Sequence, residues 1–182
     1  KTEINQRKKS HMKSNVTLKG TPVTLADKFI TAGEKAPDFT LVQENLHDFS
    51  LKDATGYALI LSIFPSLDTD VCATTVRHFN RMANHLPDTR VLCISKDLPF
   101  AQRRFCTVEG LANVTPLSDF RPSSKFGETY GVLITDGPMA GLLARAVVVI
   151  NAEGIVTYSE LVSEITNEPD YDAILEAVQV KR

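Results

Sequence analysis

The residues best suited by type and spacing to carry out chemistry lie at positions 64–75, where the sequence reads FPSLDTDVCATT. Its one cysteine, Cys72, falls one to three residues inside a predicted helix that begins near Thr69 or Asp70. A cysteine attacks as thiolate, and the free N–H groups at a helix start stabilise that anion. Unpaired cysteines, however, are among the most buried residues, and most of them only pack. Spacing alone therefore leaves Cys72 equally a nucleophile or a packing residue.

The side chains that precede Cys72 bear on the same choice. Pro65 fixes the turn before the helix and can shield the sulfur from water. Thr69 can donate a hydrogen bond to the sulfur or to a bound oxygen, or it can cap the helix. Asp68 and Asp70 oppose a thiolate, because their negative charges disfavour a second one nearby. They are compatible with a reactive Cys72 only if they point to solvent and serve the helix terminus.

Two further cysteines, Cys93 and Cys106, complete a small and odd set without a C-x-x-C pair. Three cysteines are too few for a disulfide scaffold of this size, so a reducing compartment with one or two active thiols fits better. Cys93 lies in the apolar run RVLCIS and is predicted to be a core residue. Cys106 follows Arg103 and Arg104 on a predicted helix. These cations either favour its thiolate or form a solvated basic face.

Composition and charge exclude several other functions. The formal net charge of −2 gives no broad attraction to nucleic acid or to an anionic membrane surface. No apolar run approaches the roughly 20 residues that a membrane span needs. His78 and His85 share a helix face, but two imidazoles without a third ligand make a poor metal site. The sequence therefore predicts no metal, no cofactor, no nucleic-acid partner and no membrane partner.

The start of the chain does not read as a targeting segment. Lys8 and Lys9 are not followed by the apolar stretch of a secretory signal, which favours a cytoplasmic location. Residues 1–11 precede Met12 and are interpreted as tag sequence. The length of the remainder, 12–182, predicts a single domain.

The hydrophobic pattern predicts the elements that must position these side chains. The run YALILSIF at 57–64 is apolar throughout, which is typical of a strand buried on both faces. The other predicted elements are a hairpin at 15–27, strands at 39–42, 48–51, 90–95, 113–117, 142–150 and 155–162, and helices from about 69 to 86, 100–109, 123–132 and 168–179. Alternating strands and helices, closed by a hairpin and a helix, predict an α/β fold with a mixed central sheet.

Several of these segments resemble one known family. PSLDTDVC has Pro65, Thr69 and Cys72 at the spacing of the peroxiredoxin active-site pattern, P-x-x-x-T-x-x-C. SKDLPFAQRRFC, which ends at Cys106, is similar to a signature of the bacterial thiol peroxidases, the atypical two-cysteine peroxiredoxins. ARAVVVI resembles the strand that carries the family's active-site arginine, here Arg145, and SEITNEPDY resembles its C-terminal region. The resemblance covers about residues 15–178.

The resemblance implies a fold, a reaction and partners. The fold would be a thioredoxin fold, a mixed sheet flanked by helices, with an N-terminal β-hairpin extension. Cys72 would reduce hydroperoxides and become a sulfenic acid, with Arg145 and Thr69 assisting and Pro65 limiting water. Cys106 would then form an intramolecular disulfide with Cys72, which thioredoxin would reduce. A homodimer is the usual assembly, and Cys93 has no catalytic role in the family pattern.

Some alternatives remain at this stage. Arg145 could instead form a structural ion pair with an acidic residue. The chain could be a thiol–disulfide oxidoreductase that acts on proteins, although the missing C-x-x-C weighs against that, or a redox sensor or holdase. The sequence does not distinguish hydrogen peroxide from bulkier organic hydroperoxides as the preferred substrate.

Overall fold

The computed structural model describes residues 15–179, and its elements follow the predicted order. The strands are β1 Thr17–Leu18, β2 Thr21–Pro22, β3 Thr40–Gln43, β4 Asp48–Ser50, β5 Ala58–Ile63, β6 Thr89–Ser95, β7 Thr115–Ser118, β8 Ala146–Ile150 and β9 Val156–Leu161. The helices are α1 Asp70–Ala83, α2 Pro99–Glu109, α3 Phe126–Thr129 and α4 Tyr171–Gln179, with a short 3₁₀ helix at Leu51–Ala54. The interpretation of residues 1–11 as tag sequence falls outside the described residues, and the single domain over 12–182 stays a prediction.

The centre of the fold is a mixed seven-stranded sheet in the order β4-β3-β7-β6-β5-β8-β9. Strands β5, β6 and β7 are parallel neighbours, and α1 and α2 connect them in turn. On one side β8 pairs antiparallel with β5, and β9 follows as a hairpin. On the other side β3 and β4 extend the sheet with antiparallel pairing. The carboxyl ends of β5 and β6 thus lie at one edge, where clefts form in open α/β sheets.

Strand β5 is buried on both faces, as its continuous apolar sequence predicts. Leu59, Leu61 and Ile63 face a core that also contains Phe126 of α3. Ile60, with Phe64 just after the strand, faces the opposite core, which contains residues of α1 and α4. This alternation follows from the two-residue period of a strand. Helices therefore cover both faces of the sheet, and α1 is fixed by the core beneath it.

Strand β8 is shorter than the predicted strand at 142–150, because it begins at Ala146. The first positions of that run instead bind an earlier loop, where Ala144 N donates to Val132 O at 2.8 Å. Backbone groups used in this way cannot join the ladder with β5. Arg145 consequently lies immediately before β8, at the same edge of the sheet as the carboxyl end of β5.

Helix α4 also begins later than the predicted helix at 168–179. It starts at Tyr171, because Asp170 acts as the cap: its Oδ1 accepts a hydrogen bond from Ala173 N at 3.0 Å. Helix α3 is one turn within the predicted segment 123–132.

The predicted N-terminal hairpin is confirmed as the antiparallel pair of β1 and β2. Its two-residue turn has positive φ at Lys19 (49°) and Gly20 (81°), as the favoured hairpin turns require. None of the helices within residues 15–179 has the length and apolar character that a membrane span needs.

Candidate active site

Cys72 is the third residue of α1 and is completely buried. Strand β5 ends at Ile63, and Phe64 N still donates to Ile94 O at 3.1 Å, which holds the start of the following loop against β6. Thr69 has extended backbone (φ −111°, ψ 143°) and occupies the N-cap position, so the helix starts at Asp70. The strand, the loop and the helix start together place the sulfur in the apolar core under α1, near its positive end.

The decisive contact at Cys72 comes from Arg145. Arg145 is 2% exposed, and its Nη2 donates to Cys72 Sγ at 3.1 Å. Its Nε donates to Ile165 O at 2.8 Å, which fixes the plane of the guanidinium. Nη1 is buried and, within the described residues, has no hydrogen-bond partner. Since buried donors are rarely left unpaired, Nη1 is a donor available to a ligand that enters beside the sulfur.

This geometry decides the question that the sequence leaves open about Arg145. The guanidinium hydrogen-bonds a sulfur and a carbonyl rather than a carboxylate, and no salt bridge of Arg145 with an acidic residue is found in residues 15–179. A buried guanidinium thus lies 3.1 Å from the sulfur and donates a hydrogen bond to it. The alternative of a structural ion pair is therefore wrong.

The side chains that precede Cys72 differ in burial. Pro65 is buried, whereas Asp68 and Asp70 are exposed, and Asp70 lies in the first turn of α1. The carboxylates thus point to solvent, the arrangement that is compatible with a reactive Cys72. The Thr69 hydroxyl donates to Ser66 O at 3.0 Å and makes no side-chain cap. It therefore stabilises the loop, and the role of Thr69 toward sulfur or a bound oxygen stays a prediction.

Cys106 lies near the end of α2 and is buried as a free thiol. Burial, together with the negative charge of Glu44, raises its pKa to about 11. Arg103 and Arg104 are exposed, which agrees with the solvated basic face rather than with thiolate stabilisation. Cys106 is therefore protonated near neutral pH.

Cys93 is a core residue, as its apolar strand predicts. It is 2% exposed on β6 and packs in the same apolar cluster as Cys72. Burial, and to a lesser extent the neighbouring Cys106, raises the pKa of its thiol. A sulfur that stays protonated in an apolar cluster is a packing group.

The carboxylate of Asp97, which lies between β6 and α2, joins two loops. It accepts hydrogen bonds from Ser66 Oγ at 2.7 Å, Leu67 N at 2.8 Å and Ser95 Oγ at 2.7 Å. Ser95 Oγ in turn accepts from Gln102 Nε2 of α2 at 3.2 Å. A polar chain therefore connects the loop before Cys72 with the helix that carries Cys106. The sequence holds no signal for this link, because it depends on contacts between residues about thirty positions apart.

The fold and the site together define a class of protein. A buried cysteine at the start of a helix, after the parallel strand β5 of a mixed sheet and hydrogen-bonded to an arginine, is typical of a thiol-dependent redox enzyme with a thioredoxin-like fold. The comparisons with known proteins agree and are more specific.

The model of the Redoxin family matches residues 31–175 of the chain. The thiol peroxidases of Mycobacterium tuberculosis and Mycobacterium bovis are 53% identical to it over 165 residues, which cover 91% of this chain and 98% of theirs. Among solved structures, a peroxiredoxin-like protein from Aquifex aeolicus has a TM-score of 0.85 at 42% identity, covering 91% of this chain and 95% of that one. A thiol peroxidase from Chromobacterium violaceum has a TM-score of 0.83 at 28% identity, with the same coverage.

The chain belongs to the Redoxin family and, within it, is a thiol peroxidase of peroxiredoxin type. The predicted resemblance and the predicted thioredoxin-like fold are thereby confirmed.

Proposed function

We propose that the chain reduces hydroperoxides with Cys72 as the peroxidatic cysteine and Cys106 as the resolving cysteine. The single observation that carries the proposal is the 3.1 Å hydrogen bond from Arg145 Nη2 to Cys72 Sγ, beside a second guanidinium nitrogen that has no partner in the described residues. One nitrogen stabilises the thiolate, and the other is free to bind a peroxide oxygen.

In the first step, the Cys72 thiolate attacks the terminal oxygen of the hydroperoxide. The S–O bond forms as the O–O bond breaks, so the sulfur is oxidised by two electrons to sulfenic acid. The leaving oxygen takes up a proton and departs as water or an alcohol. Arg145 Nη1 and the N–H groups at the start of α1 stabilise the negative charge that develops on this oxygen. Thr69 would add a hydroxyl to that set after giving up its bond to Ser66 O, and Pro65 would limit access of water to the sulfur.

In the second step, Cys106 attacks the oxidised sulfur of Cys72. The S–S bond forms as the S–O bond breaks, and the oxygen leaves as water with the proton that Cys106 loses. An external dithiol protein, thioredoxin by resemblance, then reduces the disulfide and is itself oxidised. The homodimer is proposed on the same resemblance, and size-exclusion chromatography with light scattering tests it. The cytoplasmic location stays a prediction from the sequence.

The second step is expected to need an opening of α1 and α2. Cys72 lies in the first turn of α1 and Cys106 lies near the end of α2, and both are buried as free thiols. A disulfide needs its two Cα atoms within about 7 Å, and each sulfur is held in its own helix. We therefore infer that the first turn of α1 and the last turns of α2 unwind before the bridge forms.

A series of cysteine variants tests the assignment, with turnover followed as NADPH oxidation through thioredoxin and its reductase. We expect Cys72→Ser to abolish turnover. Cys106→Ser should reduce one peroxide per chain and then stop, and the matched control Cys93→Ser should retain near wild-type turnover. Mass spectrometry after one equivalent of peroxide, with and without a thiol trap, identifies the sulfenic acid and the disulfide.

The outcomes separate the competing functions. Loss of turnover in Cys93→Ser together with its retention in Cys106→Ser would show that the resolving thiol is misassigned. A sensor or holdase would form the sulfenic acid on Cys72 but would not turn over peroxide with thioredoxin.

A further inference from the structure

The N-terminal hairpin packs against the loop at 163–166, which supports Arg145. Ile165 is the residue where the two meet: its carbonyl accepts from Arg145 Nε at 2.8 Å, and its N–H donates to Thr17 O of β1 at 2.9 Å. Thr17 N in turn donates to Ser163 O at 2.7 Å. The segment 163–165 is therefore hydrogen-bonded to the Arg145 guanidinium on one side and to the hairpin on the other.

Glu164 strengthens this junction with its carboxylate. Oε1 accepts from Thr17 Oγ1 at 3.0 Å and from Gly20 N, in the hairpin turn, at 2.9 Å. Oε2 accepts from Thr166 N at 3.1 Å and from Thr166 Oγ1 at 2.9 Å. The backbone N–H groups of Thr166 and Gly20 hold the pKa of Glu164 at about 2, so the group is ionised throughout the neutral range. One carboxylate thus connects the loop at 163–166 to the hairpin and also stabilises the conformation of the loop.

Apolar packing reinforces the same contact. Val16, Val23 and Leu25 of the N-terminal segment form a buried cluster with Ala144, the residue before Arg145, and with Ile165. The arginine is therefore flanked on both sides by residues that the N-terminal segment covers.

We propose that the N-terminal hairpin is a positioning element of the active site, in which Glu164 and Thr17 hold the Ile165 carbonyl that orients Arg145 toward Cys72. The inference concerns the same site as the proposed function and rests on it for its consequence in catalysis. The guanidinium is planar, so a fixed bond at Nε determines where Nη1 and Nη2 point. A loop free to shift would let the plane rotate away from the sulfur, and misplaced catalytic groups lose rate even when they remain present.

The test measures the alkylation rate of Cys72 at fixed pH, which reports its thiolate fraction, and the single-turnover rate with hydrogen peroxide. Both are measured in a Cys93→Ser, Cys106→Ser background. We expect Glu164→Ala to lower both rates about three- to tenfold, because it removes the two hydrogen bonds to the hairpin and the two to Thr166 but acts on the guanidinium only through the Ile165 carbonyl. Thr17→Val, which removes only the hydroxyl, should lower them less, and Thr17→Ser should restore them.

Asp136→Ala is the matched control. Asp136 accepts from Thr24 N and Thr24 Oγ1, both at 2.7 Å, so it ties the N-terminal segment to a different loop with the same chemistry. We expect it to leave both rates within about twofold of the parent, as surface changes generally do. Equal losses in Asp136→Ala and Glu164→Ala would overturn the inference, because they would reflect general loosening.

A double-mutant cycle tests whether Glu164 acts through Arg145. In an Arg145→Lys background, Glu164→Ala should produce no further loss, since the oriented group is already gone. The same loss in both backgrounds would overturn the inference. The alkylation rate does not depend on peroxide turnover. If peroxide reduction itself failed while alkylation still responded to Glu164→Ala, the proposed function would be wrong and the positioning role would stand.

Discussion

Replacement of Arg145 by lysine is the sharpest test of the site. Arg145 makes two hydrogen bonds from different nitrogens, Nε to Ile165 O and Nη2 to Cys72 Sγ, and its Nη1 has no partner among residues 15–179. Lysine keeps the charge but has one nitrogen, so it cannot span the carbonyl and the sulfur while also binding a peroxide.

The expected loss follows from these contacts. A hydrogen bond to a charged group contributes about 1.5–3 kcal/mol, and lysine's retained charge favours the lower value. Loss of about 1.4 kcal/mol at the thiolate lowers the rate constant about tenfold, and a similar loss at the peroxide oxygen gives up to about 100-fold. We therefore expect Arg145→Lys to react with peroxide about 10- to 100-fold more slowly than wild type.

The assay is stopped-flow competition with a haem peroxidase for hydrogen peroxide, because the chain contains no tryptophan to report the reaction by fluorescence. Arg121→Lys is the control, since Arg121 forms an exposed ion pair with Asp48, and such pairs contribute about 0–1 kcal/mol. Circular dichroism melts verify that both variants fold. If folded Arg145→Lys reacted within about twofold of wild type, the guanidinium would not be the group that activates Cys72.

Three further results are expected. In a Cys72→Ser, Cys93→Ser protein, the alkylation rate of Cys106 should increase as pH rises toward about 11, because burial and Glu44 raise the pKa of the Cys106 thiol. A rate that stopped increasing below pH 9 would contradict this. Asp97→Asn should speed hydrogen exchange in the loop before Cys72, because the single oxygen of an amide cannot accept all three hydrogen bonds that the carboxylate accepts. The same substitution should speed disulfide formation after oxidation. Slower disulfide formation would contradict a restraining role for Asp97. Cys93→Ala should lower unfolding free energy by about 1–2 kcal/mol in urea titrations without changing the peroxide rate, and an altered rate would mean that Cys93 does more than pack.

The fold was largely predictable because its core strands have unambiguous patterns. The continuous apolar run of β5 and the amphipathic repeat of α1 both led to the correct element. The errors lie where tertiary contacts override the pattern. The apolar run before Ala146 continues the strand pattern in sequence, but the Ala144 N–H donates its hydrogen bond to Val132 O instead of joining the sheet. This competition for backbone hydrogen bonds involves a segment more than ten residues away, and the periodicity of apolar residues carries no information about such a segment.

The candidate site was predictable in part for a similar reason. Cys72 could be singled out from its strand–turn–helix setting, whereas the significance of Arg145 came from the family resemblance. A charged residue beside a β-branched run reads equally as half of an ion pair, and only its contact with sulfur separates these interpretations. The Asp97 link and the Glu164 junction carried no local signal, because each connects segments that are distant in sequence.

The two cysteines have charged neighbours of opposite sign, and under the proposed mechanism this difference sets the order of the two steps. Cys72 is buried beside the Arg145 guanidinium, which donates a hydrogen bond to its sulfur in the closed fold. Cys106 is buried beside Glu44, so its pKa of about 11 leaves it protonated and a poor nucleophile in the same closed fold. Unwinding of α2 would expose Cys106, lower its pKa toward the ordinary value of 9.0 and bring it closer to Cys72 in a single event. Under the proposed mechanism, peroxide reduction needs the folded site and resolution needs the opened one. We therefore expect the links that hold the site closed, at Asp97 above all, to control the balance between the two steps.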